Sequence, residues 1–359
     1  MISRTTELSI FVRLDMGTVS SIQSQITLSF LRKESEESEE HHFLGFFGFF
    51  GFLGFPSFSD SPSEWATLRM MISIVFAGTS AFAVPSLRLL ARDKRFSIAL
   101  VITQPDRPVG RKQELTPSPV KIAAQELGLE IAQPENINTE FSQLAARIPQ
   151  PDFFVVIAYG QILKDPVLTW PRIDPINVHG SLLPRWRGAS PVHHAILAGD
   201  AETGVTVQRM ARELDAGPVL SQATTPIAPR ETFQSLHDRL AELGAPLLLE
   251  TLAKPLTPKD QDESGVTVCR KLAREDGKVT TETQTAQEID RRVRALTPWP
   301  GVTMTIEGTE LKILETSLEP TKGSIPVSCR DWTILHVVTV QPAGKKPMRA
   351  DEWNRGVKG

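Results

Sequence analysis

From residue 71 onward, short apolar runs of strand length alternate with segments of helical periodicity. Strands are predicted over residues 72–76, 97–103, 152–158, 176–180, 204–210 and 217–227, and helices up to residue 90 and over 119–127, 191–197 and 232–252. Strand and helix signals that alternate in this way are typical of a doubly wound parallel sheet. We therefore predict an α/β fold with a Rossmann-like sheet over residues 71–259.

A second, smaller unit follows a polar break in this pattern. Residues 254–265 are rich in proline and charge and lack apolar periodicity, which indicates a linker over residues 260–279. Beyond it, a helix is predicted over residues 285–296 and strands over 303–306, 310–313 and 332–340. One helix with several short strands predicts a small C-terminal OB-like β-barrel over residues 280–359.

The first 70 residues differ in composition from the rest of the chain. They contain an acidic run over residues 34–40 and an apolar Phe/Gly segment over residues 43–55. That segment is shorter than the roughly 20 residues of a membrane-spanning helix, and no basic leader precedes it as in a signal peptide. It is either a disordered or membrane-surface extension, or upstream sequence ahead of a true start at Met70 or Met71. We favour the second, because residues 1–70 hold five basic and nine acidic side chains, whereas the whole chain has a net charge of only −3.

Composition limits the possible classes of function. A chain of 359 residues with 40% hydrophobic content can bury the cores of two domains. The net charge of −3 means that any nucleic acid must be bound by a local basic surface. Cys269 and Cys329 lie far apart, which indicates neither a zinc site nor a disulfide scaffold. We expect a monomer in the reducing cytoplasm, without membrane association and without a metal.

The stretch INVHGSLLPRWRGASP, residues 176–191, places polar side chains at the end of an apolar strand. Asn177 and His179 are two residues apart, so they project from one face, at the sheet edge where α/β proteins bind ligands. Such a pair on its own is also explained by side chains that satisfy backbone groups. Asp215, in the turn after the predicted strand 204–210, adds a third polar group. Asn, His and Asp together can stabilise an oxyanion and move a proton.

Further segments extend this pattern in register along the chain. They are IVFAGTSAFAVPSL, TQPDRPVGRKQELTPSPVK, VVIAYGQIL, AGDAETGVTVQRM, ELDAGPVL, DRLAELGAPLL, TPWPG and QPAGKKPM. Together with INVHGSLLPRWRGASP, they resemble the methionyl-tRNA formyltransferase family. The resemblance implies the formyltransferase fold and transfer of a formyl group from 10-formyltetrahydrofolate to the α-amino group of methionyl initiator tRNA, for translation initiation.

The same resemblance implies roles for individual residues. It assigns catalysis to Asn177, His179 and Asp215, and folate binding to the loop of Ser181, Leu182, Leu183 and Pro184. The chemistry fits these residue types, because a neutral amine that attacks the formyl carbon creates an oxyanion to which Asn177 and His179 could donate. Asp215 would favour the imidazolium form of His179 and order a water that relays the proton. This mechanism needs no metal.

Basic residues outside the polar strand end point to a tRNA acceptor. The connection over residues 104–119 is long for a strand-to-helix loop, and it holds Arg107, Arg111 and Lys112. We expect these three to grip the acceptor end of the tRNA, with Arg111 implied by the resemblance as a main contact. Lys345 and Lys346, with Arg291, Arg292 and Arg294, would extend a phosphate-contacting track. A solvated basic loop and a solvated helix face are the alternatives.

Four other functions were weighed against the pattern. A glycinamide ribonucleotide formyltransferase would lack the C-terminal unit altogether. A formyltransferase that acts on a sugar-nucleotide amine would share Asn177, His179 and Asp215, but the basic loop and QPAGKKPM argue against it. A tRNA- or folate-binding module without activity is disfavoured by the complete set of polar residues. A dinucleotide oxidoreductase is disfavoured because the residues after the first strand, AGTS, do not form GxGxxG.

Overall fold

The computed structural model describes residues 71–110 and 113–358, so the predictions for residues 1–70 lie outside the described residues. In chain order the strands are β1 (Ile72–Gly78), β2 (Phe96–Ile102), β3 (Arg107–Val109), β4 (Glu114–Thr116), β5 (Ile131–Ala132), β6 (Phe153–Ile157), β7 (Asp174–His179), β8 (Arg187–Gly188), β9 (Glu202–Arg209), β10 (Val219–Pro226), β11 (Val268–Cys269), β12 (Val302–Ile306), β13 (Thr309–Ser317), β14 (Ile325–Ser328), β15 (Ile334–Pro342) and β16 (Met348–Arg349). The helices are α1 (Val84–Arg92), α2 (Pro119–Glu126), α3 (Ile137–Ala145), α4 (Asp165–Leu168), α5 (Pro191–Ala198), α6 (Phe233–Leu252), α7 (Ala286–Leu296) and α8 (Ala350–Lys358). None of these helices is both long and apolar enough to cross a bilayer.

A seven-stranded mixed sheet forms the first large layer. Its strand order is β10-β9-β7-β6-β1-β2-β5. The strands from β7 to β5 run parallel, as predicted, whereas β9 is antiparallel to β7 and β10 is antiparallel to β9. The prediction of a parallel sheet is therefore wrong at this edge. A short turn around Asp215 joins β9 to β10, and such a short connection between neighbouring strands permits only antiparallel pairing.

Helices cover both faces of this sheet, so the central strand β1 is buried on both sides. Ile74 and Phe76 belong to a core that includes residues of α1, α5 and α6, whereas Val75 and Ala77 belong to a second core with α3 and α4. Burial on both faces explains why β1 is a continuous apolar run in the sequence. The pairing also aligns the carboxyl ends of β1, β6 and β7 along one edge of the sheet.

The second large sheet is antiparallel and lies in the C-terminal part of the chain. It contains β12, β13, β15 and β14 in that order, with β16 paired to β15. Helix α7 packs on β13 and β15, with Ile289 and Val293 in the same core as Leu311. A capping box starts α7, because Thr285 and Glu288 each accept a hydrogen bond from the backbone N–H of the other. The predicted C-terminal β unit is therefore present as an antiparallel sheet, and its closure as a barrel stays a prediction.

The predicted linker over residues 260–279 is held against the first sheet domain. Its short strand β11 pairs in parallel with β8, just beyond the end of β7. Gln261 Oε1 accepts a hydrogen bond from Arg187 Nε at 2.9 Å, and Glu263 forms an ion pair with the same guanidinium at 2.8 Å. Residues 261–269 are therefore part of the structure around the strand end.

The contact between α5 and α6 makes the stability of the fold depend on pH, because it contains His193. Its ring stacks on Phe233 with centroids 3.9 Å apart. Burial, with smaller contributions from the charges of His194 and His237, lowers the pKa of His193 from 6.5 to about 4. As the pH falls below 6.5, the unfolded chain takes up this proton before the folded chain does, so the free energy of unfolding decreases until about pH 4.

We expect the His193→Gln variant to lose less stability than the wild type over this pH range. The difference is at most about 1.4 kcal/mol per pH unit, because a single proton is taken up, and the partial exposure of the His193 side chain makes it smaller. Urea unfolding at pH 7.5, 5.5 and 4.5 measures it. Equal pH dependence of the two proteins would show that His193 does not carry this effect.

Candidate active site

The carboxyl end of β7 carries the polar pair predicted from the sequence. Asn177 and His179 lie on the same face of β7, which is flanked by β6 and β9. Across the pairing with β9, Asn177 lies opposite Gln208 and His179 lies opposite Thr206. His179 is only 6% exposed. Charges and hydrogen bonds at this position therefore act with little screening by water.

Asp215 lies in the turn between β9 and β10 and reaches the same place. Its backbone is left-handed, with a φ of 55°. Its Oδ2 accepts a hydrogen bond from the Gly188 N–H at 2.9 Å, and its Oδ1 accepts one from Gln208 Nε2 at 3.1 Å. Gln261 Nε2 donates to the carbonyl oxygens of Asp215 and Gly217 at 2.8 and 2.7 Å. Gly188 and Gln208 thus hold the carboxylate, and Gln261 holds the backbone of the turn that carries it.

His179 is oriented by a backbone carbonyl and by Asp215. Its Nε2 lies 2.8 Å from the Trp186 carbonyl oxygen, which can only accept, so Nε2 carries a hydrogen. Its Nδ1 lies 3.6 Å from Asp215 Oδ2. The hypothesis that His179 donates to an oxyanion is therefore restricted to Nδ1, because Nε2 is already bonded.

The Trp186 carbonyl has a second donor, the thiol of Cys269. The Sγ–H donates to this oxygen across 3.3 Å. Burial raises the pKa of Cys269 to about 11, so the thiol keeps its proton at neutral pH. This carbonyl is therefore held in place as the acceptor that fixes the His179 ring.

Asn177 is held on both sides of its amide group. Its Nδ2 donates to the Val156 carbonyl at 3.0 Å, and its Oδ1 accepts from Gln208 Nε2 at 3.1 Å. One Nδ2 hydrogen remains for a further acceptor, since a side-chain amide has two. Gln208 thus links Asn177 to Asp215 by hydrogen bonds, and His179 lies beside them with its Nδ1 3.6 Å from Asp215 Oδ2.

The loop after β7, residues 181–184, is tied to the neighbouring strands β9 and β10. Thr206 Oγ1 donates to the Ser181 carbonyl at 2.7 Å and accepts from the Leu183 N–H at 3.1 Å. Gln222 Nε2 donates to the Leu183 carbonyl at 2.9 Å. The Ser181 side chain is fully buried and donates to the Arg185 carbonyl, whereas Leu182 and Pro184 are partly exposed. The loop is therefore rigidly placed beside Asn177 and His179.

The basic residues that were predicted to bind tRNA and that the structure describes lie away from this group. Arg107, on β3, is exposed and pairs with Glu135 at 3.3 Å. It follows β2, which lies three strand spacings, or about 14 Å, from β7 along the same sheet edge. Lys345 and Lys346 lie on the second sheet, in the exposed connection between β15 and β16. Arg111 and Lys112 lie outside the described residues.

The arginines of α7 make contacts within the protein. Arg294 is bound by Asp290 at 2.9 Å and by the Glu231 carbonyl at 2.8 Å, with only 12% of its side chain exposed. Arg292 donates to the Asp276 carbonyl at 2.8 Å. The interpretation of Arg294 as part of a phosphate-contacting track is therefore wrong, because its guanidinium is already enclosed.

Sequence reasoning missed the groups that hold the site together. Gln208 had a usable signal, because it shares a face of a buried strand with Thr206 and alternates with Val205 and Val207. Gln261 had none, since it lies 46 residues from the turn that it binds. Among residues 71–110 and 113–358, no group of three His, Cys, Asp or Glu side chains is placed to hold a metal ion.

Comparison with known proteins gives a consistent family assignment. The profile of the formyl transferase family matches residues 70–252, and that of the formyl transferase C-terminal domain matches residues 271–358. A methionyl-tRNA formyltransferase from Methylococcus capsulatus is 44% identical over 295 residues, which cover 78% of this chain and 95% of the relative. One from Paracoccus denitrificans is 42% identical over 292 residues, which cover 79% of this chain and 97% of the relative.

A solved structure shares the fold at much lower identity. The N-formyltransferase from Helicobacter canadensis, in complex with folinic acid and dTDP-3-aminofucose, has a TM-score of 0.57 and 19% identity, covering 74% of this chain and 99% of that protein. At this identity the similarity concerns the fold alone. The two family profiles and the relatives at more than 40% identity over nearly their full length decide the assignment. The chain belongs to the methionyl-tRNA formyltransferase family.

Proposed function

We propose that this chain transfers a formyl group from 10-formyltetrahydrofolate to the α-amino group of methionyl initiator tRNA. The observation that carries the proposal is the linked group of Asn177, His179 and Asp215 at the end of β7. It occurs in a chain whose relatives at 42–44% identity are methionyl-tRNA formyltransferases. The loop of residues 181–184, beside this group, is proposed to bind the folate.

The proposed chemistry assigns a separate task to each of the three residues. The folate supplies an activated formyl group on its N10 nitrogen. When the amine attacks the formyl carbon, a C–N bond forms and the carbonyl oxygen becomes an oxyanion, which the free Asn177 Nδ2 hydrogen and His179 Nδ1–H can stabilise. Asp215, whose Oδ2 lies 3.6 Å from His179 Nδ1, accepts, through a water, the proton that the attacking nitrogen loses. That proton passes to N10 as the bond from carbon to N10 breaks.

The proposed tRNA contacts lie at the rim and on the second sheet. Arg107, with Arg111 and Lys112, would contact the acceptor end, and Lys345 and Lys346 would contact phosphates. Arg107 and both lysines are exposed, which supports this part of the proposal. The C-terminal sheet is proposed to be an OB-like barrel that supports tRNA binding.

We further propose that the enzyme acts as a monomer in the cytoplasm. Cys269 and Cys329 are both free thiols and both buried. Free thiols are typical of proteins in reducing compartments, where disulfides are rare.

Formyl transfer by the full chain tests the proposed function. The acceptors are methionyl initiator tRNA, free methionine and an amino-sugar nucleotide, each with 10-formyltetrahydrofolate as donor. We expect transfer to the charged tRNA, with an apparent affinity that falls at least about tenfold between 50 and 200 mM salt, since phosphate contacts release counterions. Transfer to the amino-sugar nucleotide alone would show that the acceptor is not tRNA. A shallow dependence of the tRNA affinity on salt would argue against the proposed basic contacts.

A further inference from the structure

Gln208 connects two of the proposed catalytic residues with a single nitrogen atom. It lies on β9 directly opposite Asn177, and its side chain is 1% exposed. Its Nε2 is 3.1 Å from Asn177 Oδ1 and 3.1 Å from Asp215 Oδ1. Both hydrogens of this amide group are therefore used within the site.

These contacts determine which way each amide points. An ionised Asp215 carboxylate only accepts hydrogen bonds, so Gln208 must turn its NH₂ group toward it. The same NH₂ group then requires an acceptor from Asn177, which places Asn177 Oδ1 toward Gln208. Asn177 Nδ2 is consequently turned the other way, toward the Val156 carbonyl at 3.0 Å. The charge of Asp215 thus sets the orientation of Asn177 through Gln208.

This orientation leaves an acceptor of Gln208 unsatisfied. Among the described residues, Gln208 Oε1 is a buried atom without a hydrogen-bond partner. A buried unpaired acceptor costs free energy of folding. An apolar side chain of similar length would avoid that cost, so packing alone does not explain a glutamine at this position.

We propose that Gln208 is a positioning residue for formyl transfer, which holds the Asn177 amide in its donating orientation toward the oxyanion and the Asp215 carboxylate in place beside His179. The inference rests on the proposed function. Gln208 itself does not contact the substrate. Its role differs from a purely structural one, because its contacts orient Asn177 and Asp215 while its own Oε1 is left without a hydrogen-bond partner among the described residues.

The Gln208→Met variant separates positioning from packing. Methionine fills a similar volume without donors, so Asn177 loses the contact that orients it. We expect kcat to fall about 10- to 100-fold, because a misplaced donor weakens stabilisation of the transition state. KM for each substrate should change less than about twofold. The melting temperature should fall by no more than about 6 °C, because two acceptors lose their donor while the unpaired Gln208 Oε1 is removed. Kinetics with methionyl initiator tRNA and thermal unfolding of the full chain provide these values.

The Gln208→Glu variant adds a pH signature. A glutamate at this position faces the Asp215 carboxylate and the Asn177 oxygen, so it is repelled when ionised and can donate one hydrogen bond when protonated. We expect its kcat to rise relative to that of the wild type as the pH falls from 8 to 6. Arg209→Gln is the matched control, since Arg209 is the next residue on β9, projects from the opposite face and pairs with Asp174 at 2.7 Å. This variant should keep kcat within about twofold of the wild type.

The outcomes distinguish this inference from the proposed function. A wild-type protein that does not formylate methionyl tRNA contradicts the proposed function, and the variants are then compared with whichever acceptor is active. Absence of transfer with every acceptor overturns both. With an active wild type, a Gln208→Met variant that keeps kcat within about twofold overturns the inference. A loss of kcat that is matched by a large fall in melting temperature, or a Gln208→Glu variant with the wild-type pH profile, also overturns it.

Discussion

The Asp215→Asn variant is expected to lose at least about 100-fold in kcat/KM for formyl transfer, which corresponds to about 2.7 kcal/mol of transition-state stabilisation. In the wild type, both carboxylate oxygens accept hydrogen bonds, one from the Gly188 N–H and one from Gln208 Nε2. The substitution turns one of these oxygens into an NH₂ group. Either orientation of the new amide therefore sets a donor against a donor. The substitution also removes the negative charge that lies 3.6 Å from His179 Nδ1. Steady-state kinetics with both substrates measure the loss.

Asp174→Asn is the matched control for this prediction. Asp174 lies at the amino end of β7, away from the site, and pairs with Arg209 at 2.7 Å. We expect this variant to keep kcat/KM within about threefold of the wild type, because a partly exposed ion pair contributes little. Activity of Asp215→Asn within the same threefold range would remove Asp215 from the proposed mechanism.

The second large effect is expected for Gly188→Ala, which alters the backbone that supports Asp215. Gly188 has a φ of +122°, and a Cβ at this position would lie 2.2 Å from the Cys269 carbonyl oxygen. That carbonyl is bound to the Ala189 N–H at 3.1 Å in the pairing of β8 with β11, so it cannot retreat without breaking the pairing. We expect a loss of about 2 to 4 kcal/mol in the free energy of unfolding. The Gly188 N–H would also move away from Asp215, so kcat should fall more than about tenfold.

Gly308→Ala provides the comparison for backbone strain without a clash. Gly308 has a φ of +73° in the turn between β12 and β13, and no atom lies within 4 Å of the position that its Cβ would take. This variant should cost about 1 kcal/mol and leave kcat unchanged. Urea unfolding and kinetics of both variants decide the matter. Equal losses of stability in the two would show that the contact with Cys269 is not the cause of the Gly188 effect.

The parts of the fold that bury much apolar surface were predictable. Strands β1 and β6 appear as apolar runs because they are covered on both faces, and α6 shows the long periodicity of a helix on a core. Helix α3 was missed because only Ile137 and Leu144 along it are fully buried, which is too few to mark a face. Strand β5 has two residues, too few for any alternation.

The candidate site was likewise predictable only where its residues belong to a local sequence pattern. Asn177 and His179 were predictable because strand alternation is local, and Asp215 because it lies in the turn that follows a strand. The acceptor for His179 was not, because it is the backbone carbonyl of Trp186, and the identity of a side chain does not reveal where its carbonyl points. Gln261 and Cys269 reach the site through contacts that span 46 and 83 residues, which no local pattern encodes.

The pairing of β11 with β8 has a consequence for recombination among relatives. Gln261 binds the Asp215 turn, and Cys269 binds the carbonyl that orients His179, although both lie beyond the segment matched by the first family profile, residues 70–252. A chimera that joins the first part of this chain to the C-terminal sheet of a relative would lose these supports if its junction followed Leu252. The same exchange with a junction after Cys269 would keep the candidate site together with Gln261 and Cys269. The segment that must be exchanged as one piece therefore extends past the first sheet and ends inside the connecting segment.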